Sequence, residues 1–372
     1  QETGWIGEEA AAPATTVVVD SSETGAAAPA AAPLVGDSFD PARIYARTTP
    51  GVVTIYALFD GGGRSQGSGF IVSADGHVLT NSHVITSAGE SSSGPVRGAA
   101  SVYVVFADGD RLPAEIVGWD LFNDTGVIKV DPAEHTVTPI PLGDSGAVVV
   151  GEPVAAIGSP FGNENSLAVG VVSAVSRSIP SLTSRYHVSN AIQVDAPINH
   201  GNSGGPLLDA RGRVIGINAQ IRSESGNAEG VGFAIPINSA RRSMEQLIST
   251  GRVAYAYVGI TTQDVTPALA REYDLDAERG AIIEETVEDS PAARAGLRGS
   301  PRQEVFNGSP VAVGGDVIVS VAGRAVDRAD DVGRIVTDHL RPGQTVAVEV
   351  LRGGKGEPET VRLRLVERPV DP

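Results

Sequence analysis

From Gly51 to about Ile237 the hydrophobic positions come in short runs, not at helical spacing. "VVTIYALF", "GSGFIVS", "HVLTNSHVI", "ASVYVVFA", "RLPAEIVGWD", "TGVIKV", "VVVGEPVAAIG", "LAVGVVSAVSR", "AIQVDAPI", "GPLLDARGRVIGINAQI" and "GVGFAIPI" are mostly rich in Val and Ile and are punctuated by Gly, Asp or Pro. Closely spaced runs of this kind predict many short strands closing into barrels, and their number suits two small barrels better than one. Ahead of them, "DPARIYARTTPGVV" predicts a short helix with Asp40 as N-cap and Pro41 in the first turn, stopping before Pro50. Behind them, "NSARRSMEQLISTGRV" predicts a helix with Met244, Leu247 and Ile248 on its apolar face and a Gly stop, read as a linker over 238–254.

Residues 255–368 change character. The strands "YVGITTQD", "GAIIEETV", "DVIVSVAG", "QTVAVEVLRG" and "ETVRLRLVE" alternate with two predicted helices, "SPAARAGL" (Ser290 cap, Pro291 at the first position) and "RADDVGRIVTDHL". The polar insert 298–313 reads as a surface loop, and "GGGRSQGSG" over 61–69 as a hairpin loop. The fold class is therefore mainly β: a double β-barrel over 41–237, then an α+β domain. Residues 1–40 are rich in Ala, Pro, Thr and acid and predict a flexible tether.

Composition narrows the chemistry. The net charge is −17, and residues 1–40 carry seven acidic and no basic side chains. With no basic stripe elsewhere, nucleic acid is not the expected partner. Cysteine is absent, which removes a thiol nucleophile and a Cys-ligated zinc. No metal-ligand cluster, phosphate loop or dinucleotide fingerprint is found, so no cofactor is expected. No stretch of about 18 apolar residues predicts a transmembrane helix. The segment opens on Gln1, not Met, an opening that fits removal of a signal peptide or a membrane anchor ahead of it.

The candidate chemistry centres on "INHGNSGGPLLDARGRVIGI". Ser203 sits among glycines on a tight loop, beside a hairpin turned at "DARGR". A serine hydroxyl needs a base, the base needs an orienting partner, and the reaction needs N–H donors for a developing oxyanion. The amides of Gly201 and Ser203 can supply the donors. Among six histidines, His83 stands out because polar "TNS" interrupts an apolar run just before it, whereas His77, His135 and His187 lie in polar, exposed-looking settings. His200 is near the serine but would compete with the oxyanion donors for space. Asp124 in "FNDTGVIKV" is the preferred orienting acid, with Asp120 as its rival.

"TNSHV", "NDTGVIKV" and "GNSGGPL" follow in the order His, Asp, Ser. With "GSGFIVSADGHVLTNSHVI", "VAAIGSPFG", "VGVVSAVSRS" and "QVDAPINHGNSGGPLLDARGRVIGIN", the chain over about 40–367 resembles the HtrA (Deg) serine proteases, which pair a trypsin-like domain with PDZ domains. The resemblance implies a chymotrypsin-like double barrel followed by a PDZ domain, and ATP-independent cleavage of unfolded or damaged proteins outside the cytoplasm. It implies Ser203 as nucleophile, His83 as general base and acid, Asp124 as orienting acid, and Gly201 and Ser203 as the oxyanion hole. It also implies Ile198 as a wall of the specificity pocket, favouring a small or medium aliphatic residue, and Arg177 at the base of a regulatory loop. Tyr257, Val258, Gly259 and Ile260 resemble the PDZ loop that binds a peptide's terminal carboxylate. Implied partners are unfolded substrates, C-terminal peptides and two further copies of the chain in a trimer; residues 1–40 could tether it to a membrane. An alternative is a latent or non-proteolytic chaperone or PDZ binding protein; a serine esterase is disfavoured because a strand, not a helix, follows the serine. Thr125-Gly126 departs from the family's Leu-Ala and is expected to loosen packing beside Asp124, and 178–190 is expected to be a lengthened loop.

Overall fold

The computed structural model describes residues 39–89, 96–159, 165–184, 186–198, 201–219 and 231–369. The expected tether, except its last two residues, and His200 lie outside the described residues.

The chain enters through α1 (Pro41–Thr48), whose Asp40 cap accepts from the Arg43 N–H at 3.0 Å. A first closed barrel follows. Its strands are β1 (Val52–Leu58), β2 (Arg64–Ile71), β3 (His77–Thr80), β4 (Ser101–Val105), β5 (Arg111–Asp120) and β6 (Thr125–Lys129), in the order β1-β2-β3-β6-β5-β4. A second closed barrel contains β7 (Pro153–Gly158), β8 (Ser166–Pro180), β9 (His187–Val194), β10 (Pro206–Leu208), β11 (Val214–Ala219) and β12 (Gly232–Pro236), in the order β10-β11-β12-β9-β8-β7.

Strand alternation divides the apolar side chains between two environments. Val53, Ile55 and Ala57 of β1 pack inside the first barrel with Ile71, Val78 and Ile128. Val52, one residue out of phase, joins Phe70, Leu79 and Val127 in a core shared with Ile157, Leu208, Ile217 and Ile235 of the second barrel. Each such fully buried aliphatic side chain stabilises the fold by about 1.5–3 kcal/mol. The shared core fixes one barrel against the other, and the loops that meet there inherit that rigidity.

Three expectations change here. After β3 the run "NSHVI" is not strand: α2 (Ser82–Ile85) begins immediately. The 61–69 segment is a turn at 60–63 followed by β2, whose Arg64 to Phe70 pair with β1. The helix α3 (Ile237–Thr250) is packed, not a free linker: its Ala240 and Leu247 enter the shared core, and Ile248 is exposed.

The C-terminal domain holds β13 (Ala256–Tyr257), β14 (Ile260–Val265), α4 (Pro267–Glu272), β15 (Gly280–Thr286), α5 (Pro291–Arg294), β16 (Arg302–Phe306), β17 (Ser309–Val313), β18 (Val317–Val321), β19 (Arg324–Ala325), α6 (Ala329–His339), β20 (Thr345–Arg352), β21 (Lys355–Arg364) and β22 (Val366–Glu367). Its main sheet runs β14-β15-β18-β20-β21, with β19 on β18, so β14 is an edge strand. Ile335 and Val336 of α6 pack into the same core as Ala281, Ile318 and Val348 of the sheet. The expected surface loop at 298–313 is instead a hairpin of β16 and β17, because Val311 and Val313 bury against Leu269 of the unforeseen α4.

Candidate active site

His83 and Asp124 come from different segments and meet. His83 lies on α2, and Asp124 closes the turn between β5 and β6. The His83 Nδ1 is 2.7 Å from Asp124 Oδ2, and Asp124 Oδ1 accepts from Ser82 Oγ at 2.8 Å and from the His83 N–H at 3.0 Å. The carboxylate therefore caps the first turn of α2 from the β5–β6 turn, which is why "NSHVI" leaves the β pattern. Asn81 Nδ2 donates to the Asp124 carbonyl at 2.9 Å and holds the turn from its other side. Asp124 itself has φ of +43°, a left-handed conformation that Asp tolerates better than most residues. Burial pulls the His83 imidazole down, but the Asp124 charge and hydrogen bond together outweigh it and leave its pKa raised. Thr125-Gly126 does not loosen this corner: a Cβ on Gly126 would lie 2.8 Å from Ile85 Cδ1, so Ile85 fills the space.

Ser203 is brought to the same place by the backbone. Its carbonyl accepts from the Ser68 N–H of β2 at 2.8 Å. Ser68 Oγ donates to the Gly201 carbonyl at 2.6 Å and accepts from the Ser159 N–H at 2.8 Å. Ser68, a residue that sequence reasoning passed over, thus ties the serine loop to both barrels. The glycines around it are needed for close approach. A Cβ on Gly204 (φ +86°) would sit 2.2 Å from the Ser68 carbonyl oxygen and 3.2 Å from the Asn81 N. A Cβ on Gly67 would touch Val84 at 2.6 Å and the Ser203 carbonyl oxygen at 3.1 Å. The loop of Ser203 is therefore packed directly on the segment 81–84 that carries His83. Ser203 Oγ is buried and has no hydrogen-bond partner among the described residues, a polar atom available for a substrate or for His83.

The remaining candidates separate by position. Ile198 is 6% exposed, and a Cβ on Gly232 would lie 2.5 Å from its Cγ1, so Ile198 packs against the bare backbone of β12. Arg177 lies within β8, where its Nε donates to Gln193 Oε1 at 3.1 Å; β8 continues to Pro180 and β9 resumes at His187, so most of the expected 178–190 loop is strand. Asp120 faces away from His83 and bonds Ser243 and Tyr255. His135 is not solvent-exposed as expected: it stacks on Phe106 at 3.8 Å and pairs with Asp108. In the C-terminal domain, Gly259 (φ +80°) sits between β13 and β14, its carbonyl accepting from the Val287 N–H at 2.9 Å and from Ser290 Oγ at 3.2 Å. Tyr257 ends β13, Val258 accepts from the Ala292 N–H at 3.0 Å, and Ile260 opens the edge strand.

Residues 67–217 match the trypsin-like peptidase domain family, and residues 256–365 match the PDZ domain family. The solved HtrA-type protease AlgW with a tripeptide superposes with a TM-score of 0.72 at 33% identity, covering 89% of this chain and 98% of that one. This chain belongs to the HtrA-type serine proteases. The serine endoprotease from Yersinia pestis is similar at 30% identity with a TM-score of 0.62, covering 89% of this chain and 98% of its own. A protein of Halomonas elongata named "Probable periplasmic serine endoprotease DegP-like" is 41% identical over 80% of this chain and 56% of its own length. The Arabidopsis thaliana "Protease Do-like 1, chloroplastic" is 38% identical over 81% of this chain and 64% of its own length. The chain thus spans between half and two thirds of these curated relatives. Family membership accounts for the double barrel followed by a PDZ domain.

Proposed function

We propose that the protein is an ATP-independent serine endopeptidase that cuts unfolded or damaged proteins outside the cytoplasm, with activity set by peptides at its PDZ domain. The observation that carries this reading is the His83–Asp124 contact of 2.7 Å beside a buried, unpartnered Ser203 hydroxyl. In the proposed reaction His83 Nε2 takes the Ser203 proton as the hydroxyl attacks the scissile carbonyl. Asp124 holds the Nδ1–H tautomer and stabilises the imidazolium. The N–H groups of Gly201 and Ser203 receive the oxyanion, and His83 returns the proton to the leaving amine. Water then repeats the cycle on the acyl-enzyme.

Ile198 is proposed to line the pocket for the residue before the cut. An aliphatic wall at Ile198 favours small or medium aliphatic side chains there. Tyr257 to Ile260 are proposed to receive a peptide's carboxylate, with the peptide extending the sheet along β14. The edge position of β14 supports that reading. The bound tripeptide in the AlgW structure supports peptide control, and the periplasmic name of the Halomonas relative supports a place outside the cytoplasm. Arg177 in the regulatory ribbon, a homotrimer and a membrane tether through residues 1–40 complete the proposal from the family resemblance. Wild type and Ser203→Ala, assayed on casein with and without free C-terminal peptides, test it: cleavage lost in the variant is expected, and an inert wild type overturns it.

A further inference from the structure

A set of side chains unused by the proposed reaction is buried behind the turn that carries Asp124. Asp120, 2% exposed, accepts from Ser243 Oγ at 2.6 Å, from the Tyr255 hydroxyl, and from the N–H groups of Phe122 at 2.9 Å and Asn123 at 3.3 Å. Asn123 Nδ2 also donates to the Tyr255 hydroxyl at 2.7 Å. Burial pushes the Asp120 carboxyl up, and these donors oppose it. Beside them, the Arg368 guanidinium lies 5.1–5.4 Å from the ring centroids of Phe122, Tyr186 and Tyr255. Phe122 meets the two tyrosines edge-on at 5.3 Å. The Arg368 side chain also donates to Thr337 Oγ1 at 3.2 Å, while its Nε is buried without a partner among the described residues. Burial lowers the Arg368 pKa; Tyr255, Tyr186, Asp120 and Tyr257 oppose the fall.

The members of this cage come from four parts of the chain. Phe122 belongs to the Asp124 turn. Tyr186 belongs to the turn between β8 and β9, where Ser181 and Thr183 both donate to the Leu121 carbonyl, at 3.4 and 2.6 Å. Tyr255 lies between α3 and β13. Arg368 follows β22, and its N–H donates to the Tyr255 carbonyl at 2.8 Å; the Tyr186 hydroxyl donates to the Pro369 carbonyl at 3.2 Å. Bracing from behind is what the turn needs, because Asp124 holds a positive φ that only surrounding structure can enforce. A half-buried cation with no ion pair among the described residues is costly unless it is compensated, and here three ring faces and the nearby Asp120 charge compensate it.

We propose that Arg368 is a positioning residue for the reaction: seated in the Phe122–Tyr186–Tyr255 cage, the end of the C-terminal domain fixes the 120–124 turn and so the Asp124 carboxylate against His83. The step from turn to catalysis rests on the protease reading given above. Tyr255 is the joint of the strut, with its ring face on Arg368 and its hydroxyl on Asp120. Through this strut, the order of the catalytic acid depends on how the C-terminal domain is seated.

The test uses the full chain with Arg368→Ala, Arg368→Lys, Tyr255→Phe and the double variant Arg368→Ala/Tyr255→Phe. On casein, Arg368→Ala is expected to lower kcat at least about 10-fold with KM within about twofold, the signature of misplaced catalytic groups. Lys at 368 is expected to recover part of the loss, and the double variant to be no worse than Arg368→Ala. A second readout needs no proteolysis. In a Ser203→Ala background, an NMR titration of 13C-labelled histidine gives the His83 midpoint, which is expected to fall when Arg368 is removed. Unchanged kcat and midpoint in a variant that melts like wild type, or additive effects of the two substitutions, overturn the proposal. If Arg368→Ala does not fold, Tyr255→Phe carries the same test, since it keeps the ring and deletes only the hydroxyl; an unchanged His83 midpoint there overturns it. If wild type cleaves nothing, the protease reading fails on its own, and the His83 midpoint still decides whether Arg368 positions Asp124.

Discussion

Replacing Asp124 by Asn changes one atom and nearly the whole expected rate. The carboxylate has two differently used oxygens. Oδ1 accepts from Ser82 Oγ and from the backbone N–H of His83, and Oδ2 meets His83 Nδ1 at 2.7 Å. The backbone N–H can only donate, so the asparagine oxygen must take the Oδ1 place. Its NH2 then points at Nδ1 and forces that nitrogen to accept. The imidazole is driven to the tautomer with its proton on Nε2, leaving no lone pair for the Ser203 proton. A like substitution in a Ser-His-Asp triad lowers kcat about 10^4-fold, or roughly 5.4 kcal/mol in activation free energy. Stability should change little, because every hydrogen bond of the capped turn has a counterpart in the variant. Steady-state cleavage of an aliphatic-rich peptide, with a melting curve on the same sample, measures both. An Asp124→Asn enzyme that stays folded and keeps more than about a tenth of its kcat would refute the assigned tautomer and its role.

Three further outcomes follow from the same geometry. The His83 pKa is raised, and the base works only when neutral, so kcat/KM should fall as pH drops through a midpoint above the ordinary value of about 6.5; a pH–rate profile with its acid limb below that value contradicts the Asp124 contact. Gly204→Ala places a Cβ 2.2 Å from the Ser68 carbonyl oxygen at φ +86°, and should cost at least about 2 kcal/mol in denaturant unfolding and remove most activity. Asp120→Ala strips four donors of their shared acceptor and should destabilise by more than about 3 kcal/mol in the same assay, whereas Asp120→Asn, which the hydroxyls of Ser243 and Tyr255 can turn to meet, should cost clearly less; equal losses would mean that the hydrogen bonds are not what holds the turn.

Much of the architecture is written in local pattern. Valine and isoleucine runs broken by Gly and Asp foretell the barrel strands, and "DARGR" foretells the β10–β11 hairpin, which Asp209 closes by accepting from the Arg211 and Arg213 N–H groups at 2.9 Å. Asp40-Pro41 and Ser290-Pro291 foretell their helices because an N-cap is a contact within four residues. What the sequence hides depends on distant partners. The α2 turn forms because a carboxylate 41 residues away caps it. The β16–β17 hairpin forms because Val311 and Val313 find Leu269. Ser68 looks like any small residue between glycines until its hydroxyl is seen joining Gly201 to Ser159. Asp120 and Asp124 have similar sequence surroundings, and only the fold turns one toward His83 and the other toward Ser243 and Tyr255.

The central claim is that Ser203, served by His83 and Asp124, cleaves peptide bonds. Its most direct test is the rate of casein degradation by the wild-type chain against Ser203→Ala, each alone and with a library of free C-terminal peptides. Degradation by wild type, enhanced by some of the peptides and absent from the variant, is the predicted result. A wild type as inert as Ser203→Ala under every condition would contradict the claim and leave the chain a peptide- or chaperone-type binding protein built on a protease fold.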